Sequence, residues 1–108
     1  MIILYEDNQI AAVVKPVGVS SEEAQEGMSV PALLRAHWNN EKAYVGVIHR
    51  LDTGVSGVMV YAKTPAAAAE LSRQVQERTM IKEYRCVCAG IPEPMQGEMR
   101  DFLFKDSK

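Results

Sequence analysis

One carboxylate, Asp52, stands in a short polar turn between two apolar runs, Val45–Leu51 and Val58–Ala62, and is the candidate nucleophile of the chain. Gly54, Ser56 and Gly57 beside it allow unusual backbone angles, so the turn falls where two β-rich segments meet. Buried valines and isoleucine on either side would hold the Asp52 backbone still, as a reaction centre requires. A carboxylate so held can stabilise or trap the electron-poor carbon that forms as a glycosidic bond breaks. The bland alternative is an Asx-turn residue. Competing constellations fail on their spacing. Ser56 lacks the Gly-x-Ser-x-Gly context of a hydrolase, and His49 lies only three residues before Asp52. The Gly-rich loop, metal-binding Asn and Asp-Phe-Gly of a protein kinase are missing. His37, His49, Cys86 and Cys88 do not assemble into a zinc spacing, and no metal site is expected.

The run His49-Arg50-Leu51-Asp52-x-x-x-Ser56-Gly57, followed by Ala62-Lys63-Thr64, resembles the signature of the RluA-type pseudouridine synthases. Two further motifs stand in the family's order. Leu4-Tyr5-Glu6-Asp7-Asn8 and Lys15-Pro16-Val17-Gly18-Val19 resemble its opening strand and Lys-Pro-x-Gly loop, and Lys82-Glu83-Tyr84 resembles its Lys-x-Tyr motif. The resemblance runs from residue 3 to about residue 105. Val55 departs from it, standing where the family usually has Thr and removing any hydroxyl contact there.

The resemblance implies an isomerase that converts uridine to pseudouridine in structured RNA, ribosomal or transfer, with Asp52 and Tyr84 as catalytic residues and Asp52 attacking either C1′ of the ribose or C6 of the uracil. Tyr84 would stack on the target base and assist loss of the C5 proton, which suits a flat ring with a polar tip. Arg50 would enter the RNA in place of a flipped uridine, or balance the charge of Asp52, while Lys15 and Lys82 would complete the RNA-binding set. No cofactor is expected, because an isomerisation transfers no net electrons. His49 is expected in structural hydrogen bonding rather than acid–base work. The family's catalytic domain is considerably longer, so residues 1–108 are expected to form its N-terminal portion. Two outcomes follow: part of an active synthase, or a truncated, non-catalytic RNA-binding or interaction module on the same scaffold.

The elements that must position these residues are legible as local patterns. Residues 2–5 and 9–14 read as a hairpin, or one strand broken by a turn, that Lys15-Pro16 ends. Ser20–Gly27 is polar and reads as a surface loop. Ser29 caps a short helix from Val30 with Pro31 in its first turn, and Leu33, Leu34 and Trp38 form its apolar stripe. Thr64-Pro65 begins a second helix over Ala66–Arg78, with Ala67, Leu71 and Val75 inward and Glu70, Arg73, Gln74 and Glu77 outward. Glu83–Ala89 and Gly97–Phe104 read as strands, with Cys86 and Cys88 on one buried face. The order predicts an α+β fold, a mixed, mainly antiparallel sheet with two helices packed on it.

Composition sets the remaining bounds. The 108 residues, 47% hydrophobic and 24% charged, are those of one soluble globular domain or part of one. No membrane span or signal peptide is visible, so a cytoplasmic protein is expected. The net charge of -2 is unevenly spread, with 2 basic and 6 acidic residues in 1–41 against 7 and 4 in 42–85. The positive segment holds Asp52 and Tyr84, and a mildly basic cleft attracts phosphates without supporting strong non-specific binding. Strand edges left open in a partial domain predict self-association with another copy.

Overall fold

The computed structural model describes residues 1–103. Strands β1 (Ile2–Glu6), β2 (Ile10–Lys15), β3 (Gly46–Val47) and β4 (Gly57–Ala62) form one sheet in the order β1-β2-β4-β3, with every neighbouring pair antiparallel. Helix α1 (Val30–His37) lies between β2 and β3, and α2 (Pro65–Gln76) follows β4. An antiparallel sheet carrying two helices is the α+β architecture expected from the element order.

The first hairpin turns because Asp7 supplies a local acceptor. Its Oδ1 takes the amide hydrogens of Gln9 at 2.7 Å and Ile10 at 2.8 Å. Those two bonds hold the Asp7 carboxyl below its usual range. β2 then pairs along its whole length with β4, from Ile10 opposite Ala62 to Lys15 opposite Gly57. The register places Ala11, Val13, Met59 and Tyr61 on one face, where α1 covers them with Val30 and Leu34; Val19 and Val45 complete the core.

Both helices start as their capping residues dictate. Ser29 Oγ accepts from Ala32 N and Thr64 Oγ1 from Ala67 N, each with a proline in the first turn. Asn39 ends α1 in the left-handed region, at φ 54. Against the sheet, α2 approaches closely at one point. A Cβ on Gly46 would lie 2.9 Å from Ala62 Cβ and 3.0 Å from Ala68 Cβ, so only glycine permits this contact.

Three strand expectations are corrected. Of Val45–Leu51 only Gly46 and Val47 join the ladder. Beyond them His49 Nε2 accepts the Val60 amide hydrogen at 3.1 Å, so an imidazole replaces the strand and the main chain turns away. Glu83–Ala89 forms no strand, and Cys86 and Cys88 are exposed rather than buried. Gly97–Leu103 likewise forms none, while Phe104 lies outside the described residues. The reason is shared: β-branched and aromatic side chains favour extended backbone, but a strand exists only where a neighbour takes its amide and carbonyl groups. Among the described residues nothing pairs with either segment.

On the face of the sheet opposite α1, α2 covers the end at Gly46 and Ala62, and the other end is open. Ile2, Val14 and Val58 align across three strands, and Ile2 and Val58 are each 63% exposed. Met80–Arg85 passes beside Val58 and Val60, and the space between them is a cavity.

Candidate active site

Asp52 is exposed on the loop joining the end of β3 to β4, and the carbonyls from Leu51 to Thr53 are each bonded. Leu51 is held through both of its peptide groups. Its N–H donates to Ser21 Oγ at 3.2 Å, and its C=O accepts from the same hydroxyl at 2.9 Å. The Asp52 carbonyl accepts from Val55 N at 2.9 Å, closing a tight turn. The Thr53 carbonyl accepts from Gly18 N at 2.7 Å and from Lys15 Nζ at 3.3 Å. Gly18 adopts φ +87, a left-handed conformation that glycine reaches without steric cost.

Lys15 takes a place unlike the one expected from the sequence. It is fully buried, and its ammonium donates to the carbonyls of Val19 at 2.7 Å, Pro16 at 3.0 Å and Thr53 at 3.3 Å. Three hydrogens meet three acceptors, so the group has no donor to spare for an RNA phosphate. Burial pushes the Lys15 ammonium below its usual value, and the negative charge of Asp52 pulls it partly back. The cation that bears on Asp52 from the protein side is thus Lys15, seated beneath its loop.

Arg50 leaves the sheet with the loop and points to solvent, 72% exposed, where its Nε lies 3.1 Å from Glu22 Oε1. It pairs with Glu22 rather than Asp52. The structural role expected of His49 takes the form of the bond from Val60. Because Nε2 accepts there, the imidazole proton resides on Nδ1. Burial first, and the positive charge of Lys82 second, lower the His49 pKa.

Lys82 and Tyr84 line the cavity, of about 580 Å³, together with His49, Leu51, Ser56 and Val58. Tyr84 is 65% exposed, so its ring is available to a ligand. The structure therefore groups the expected residues in two sets. Lys82 and Tyr84 share the cavity with His49, whereas Asp52 and Arg50 stand on the loop outside its lining, with Lys15 buried against that loop. Ser21 and Tyr61 were not visible from sequence. Ser21 belongs to a segment that reads as polar surface loop, and Tyr61 as a plain strand aromatic; their tie, Tyr61 OH donating to Ser21 O at 2.7 Å, spans forty positions of chain. No group of three or more His, Cys, Asp or Glu side chains suited to a metal ion occurs among the described residues.

Comparison with known proteins agrees with this arrangement of motifs. Residues 9–107 match the family described as RNA pseudouridylate synthase. The ribosomal large subunit pseudouridine synthase D of Neisseria meningitidis is 38% identical over 108 residues, covering 96% of this chain and 29% of its own. The dual-specificity RNA pseudouridine synthase RluA of Escherichia coli is 38% identical over 104 residues, covering 90% of this chain and 44% of its own. Among solved structures, the human RNA pseudouridylate synthase domain containing 4 superposes with a TM-score of 0.58 at 26% identity, over 72% of this chain and 30% of that one. The chain thus spans between 29% and 44% of the length of these relatives. Its motifs, their order and the sheet that carries them lead to one conclusion: the chain belongs to the RNA pseudouridylate synthase family.

Proposed function

We propose that this chain carries the nucleophile-bearing part of an RNA pseudouridine synthase site, with Asp52 as the nucleophile. The observation that carries the reading is the Asp52 loop itself. An exposed carboxylate sits on main chain whose carbonyls from Leu51 to Thr53 are all bonded, an arrangement that favours a fixed attack direction over a solvated turn.

In this reading an Asp52 oxygen bonds to C1′ of a uridine as the C1′–N1 bond breaks and its electron pair leaves with the uracil. The base then turns, C5 bonds to C1′, and the carboxylate is released. The C5 proton departs and N1 gains one, so atoms and charge balance. The uridine must leave its stack to be reached. Tyr84 offers a stacking surface in the cavity and Lys82 a cation at its rim. Arg50, on the same loop as Asp52 and free of the sheet, is placed to fill the vacated position in the RNA once it parts from Glu22. Lys15 belongs to the support of the loop rather than to the RNA contacts.

The substrate proposed is structured ribosomal or transfer RNA, in the cytoplasm. No described helix is long and apolar enough to cross a membrane. Strands β1 and β3 are the outer strands of the sheet, and we extend the proposal to self-association through one of them. The reading is tested by incubating the chain with bulk ribosomal and transfer RNA and counting pseudouridine in the hydrolysed nucleosides. A rise that depends on Asp52 supports it. Binding without conversion would assign the chain to the non-catalytic RNA-binding class instead.

A further inference from the structure

We propose that Ser21, backed by Tyr61, is a positioning residue that sets the direction of the Asp52 side chain; the inference rests on Asp52 being the nucleophile. Ser21 is 3% exposed, and its hydroxyl accepts from Leu51 N and donates to Leu51 O. Those groups belong to successive peptide planes on either side of Leu51, and the second plane leads directly into the Cα of Asp52. The next plane is fixed by Val55 N on Asp52 O, and the one after by Gly18 N and Lys15 Nζ on Thr53 O. Four consecutive planes around the nucleophile are thereby defined. With Leu51 released, the incoming plane becomes free to rotate and carries the carboxylate with it.

Ser21 is itself anchored. Its carbonyl accepts from the hydroxyl of Tyr61 at 2.7 Å, and Tyr61 is fully buried near the C-terminal end of β4. The relay from sheet to Tyr61 to Ser21 to Leu51 therefore links the core to the loop through side chains, where no strand ladder does so. Ser20 Oγ accepts from Glu22 N at 3.2 Å and donates to Glu22 O at 3.0 Å, fixing the same turn, and Glu22 then engages Arg50. One short segment, Ser20–Glu22, thus orients both Arg50 and Asp52.

The test compares the full chain with Ser21→Ala, Ser21→Thr and Tyr61→Phe. Amide hydrogen exchange is read at Leu51 and Val55 against the core amides of β2 and β4, and single-turnover rate against RNA affinity. In Ser21→Ala, exchange at Leu51 and Val55 is expected to rise about tenfold while core amides stay within about threefold. The single-turnover rate is expected to fall about 10- to 100-fold with RNA affinity unchanged, the mark of a misdirected group. Ser21→Thr, which keeps the hydroxyl, should recover most of both, and Tyr61→Phe should show the same pattern more weakly. Exchange that rises equally throughout the core, or a turnover rate equal to the parent's, overturns the proposal. A parent chain without turnover counts against the proposed reaction, and the exchange measurement then decides the anchoring on its own.

Discussion

The buried ammonium of Lys15 donates to the main-chain carbonyl of Thr53, the residue that follows Asp52, across 38 positions of sequence. A lysine that faces inward in this way acts on the loop and not on the ligand. Lys15→Met retains the aliphatic stem and removes the donors, leaving the Val19, Pro16 and Thr53 carbonyls short of a partner. It is expected to cost about 1–3 kcal/mol of stability by urea unfolding. Reduced RNA affinity with no loss of stability would instead mean that Lys15 faces a phosphate.

Stability should also depend on pH through His49. Its folded pKa lies below the ordinary value because the ring is partly buried and Lys82 is nearby, and its Nε2 must stay unprotonated to accept from Val60. A His with a depressed folded pKa binds more protons when unfolded, so its contribution is complete above about pH 6.5 and is lost as pH falls towards the folded value. The urea midpoint of the parent is expected to drop across this window. His49→Gln, which keeps a neutral acceptor, should flatten the dependence, and an equal drop in both would remove His49 as the cause.

Gly46 offers a test of packing away from the site. Gly46→Ala brings a methyl group within 3.0 Å of both Ala62 and Ala68 and must push α2 from the sheet. A loss of about 1–3 kcal/mol is expected by urea unfolding, as for other overpacked contacts. Unchanged stability would show that α2 moves away without cost.

Tyr84 should behave in the opposite way. Its ring is largely exposed at the cavity, so Tyr84→Ala is expected to change stability by no more than about 0.5 kcal/mol. Loss of a stacking surface should weaken RNA binding or turnover by about 5- to 150-fold, following the ~1–3 kcal/mol of one stacked base. A Tm that falls along with activity would make Tyr84 a structural residue.

What the sequence reveals here is what is encoded locally. Ser29 and Thr64 with their prolines mark both helix starts, Asp7 marks the hairpin, and the apolar runs in Ile10–Lys15 and Gly57–Ala62 mark the central strands. The inward course of Lys15 is not local, since its acceptors Val19 and Thr53 meet only after β2 and β4 have paired. Ser21 is hidden for the same reason: a serine among glutamates reads as surface until Tyr61 and Leu51 arrive from elsewhere in the chain. Glu83–Ala89 shows the converse, a segment with strand-like residues and no neighbour to pair with. The side chains of the signature motif could be named from sequence, but the network that holds their loop could not.

The central claim is that Asp52 is the nucleophile of a uridine isomerisation. Its most direct test is release of tritium from RNA labelled at C5 of uridine, measured for the parent chain and Asp52→Asn under single-turnover conditions. The variant keeps the size of the side chain and the main-chain bonds of the loop while removing the nucleophilic charge. Release by the parent and none by the variant is the predicted result. Equal release by both, or none from a folded parent that binds the RNA, would contradict it.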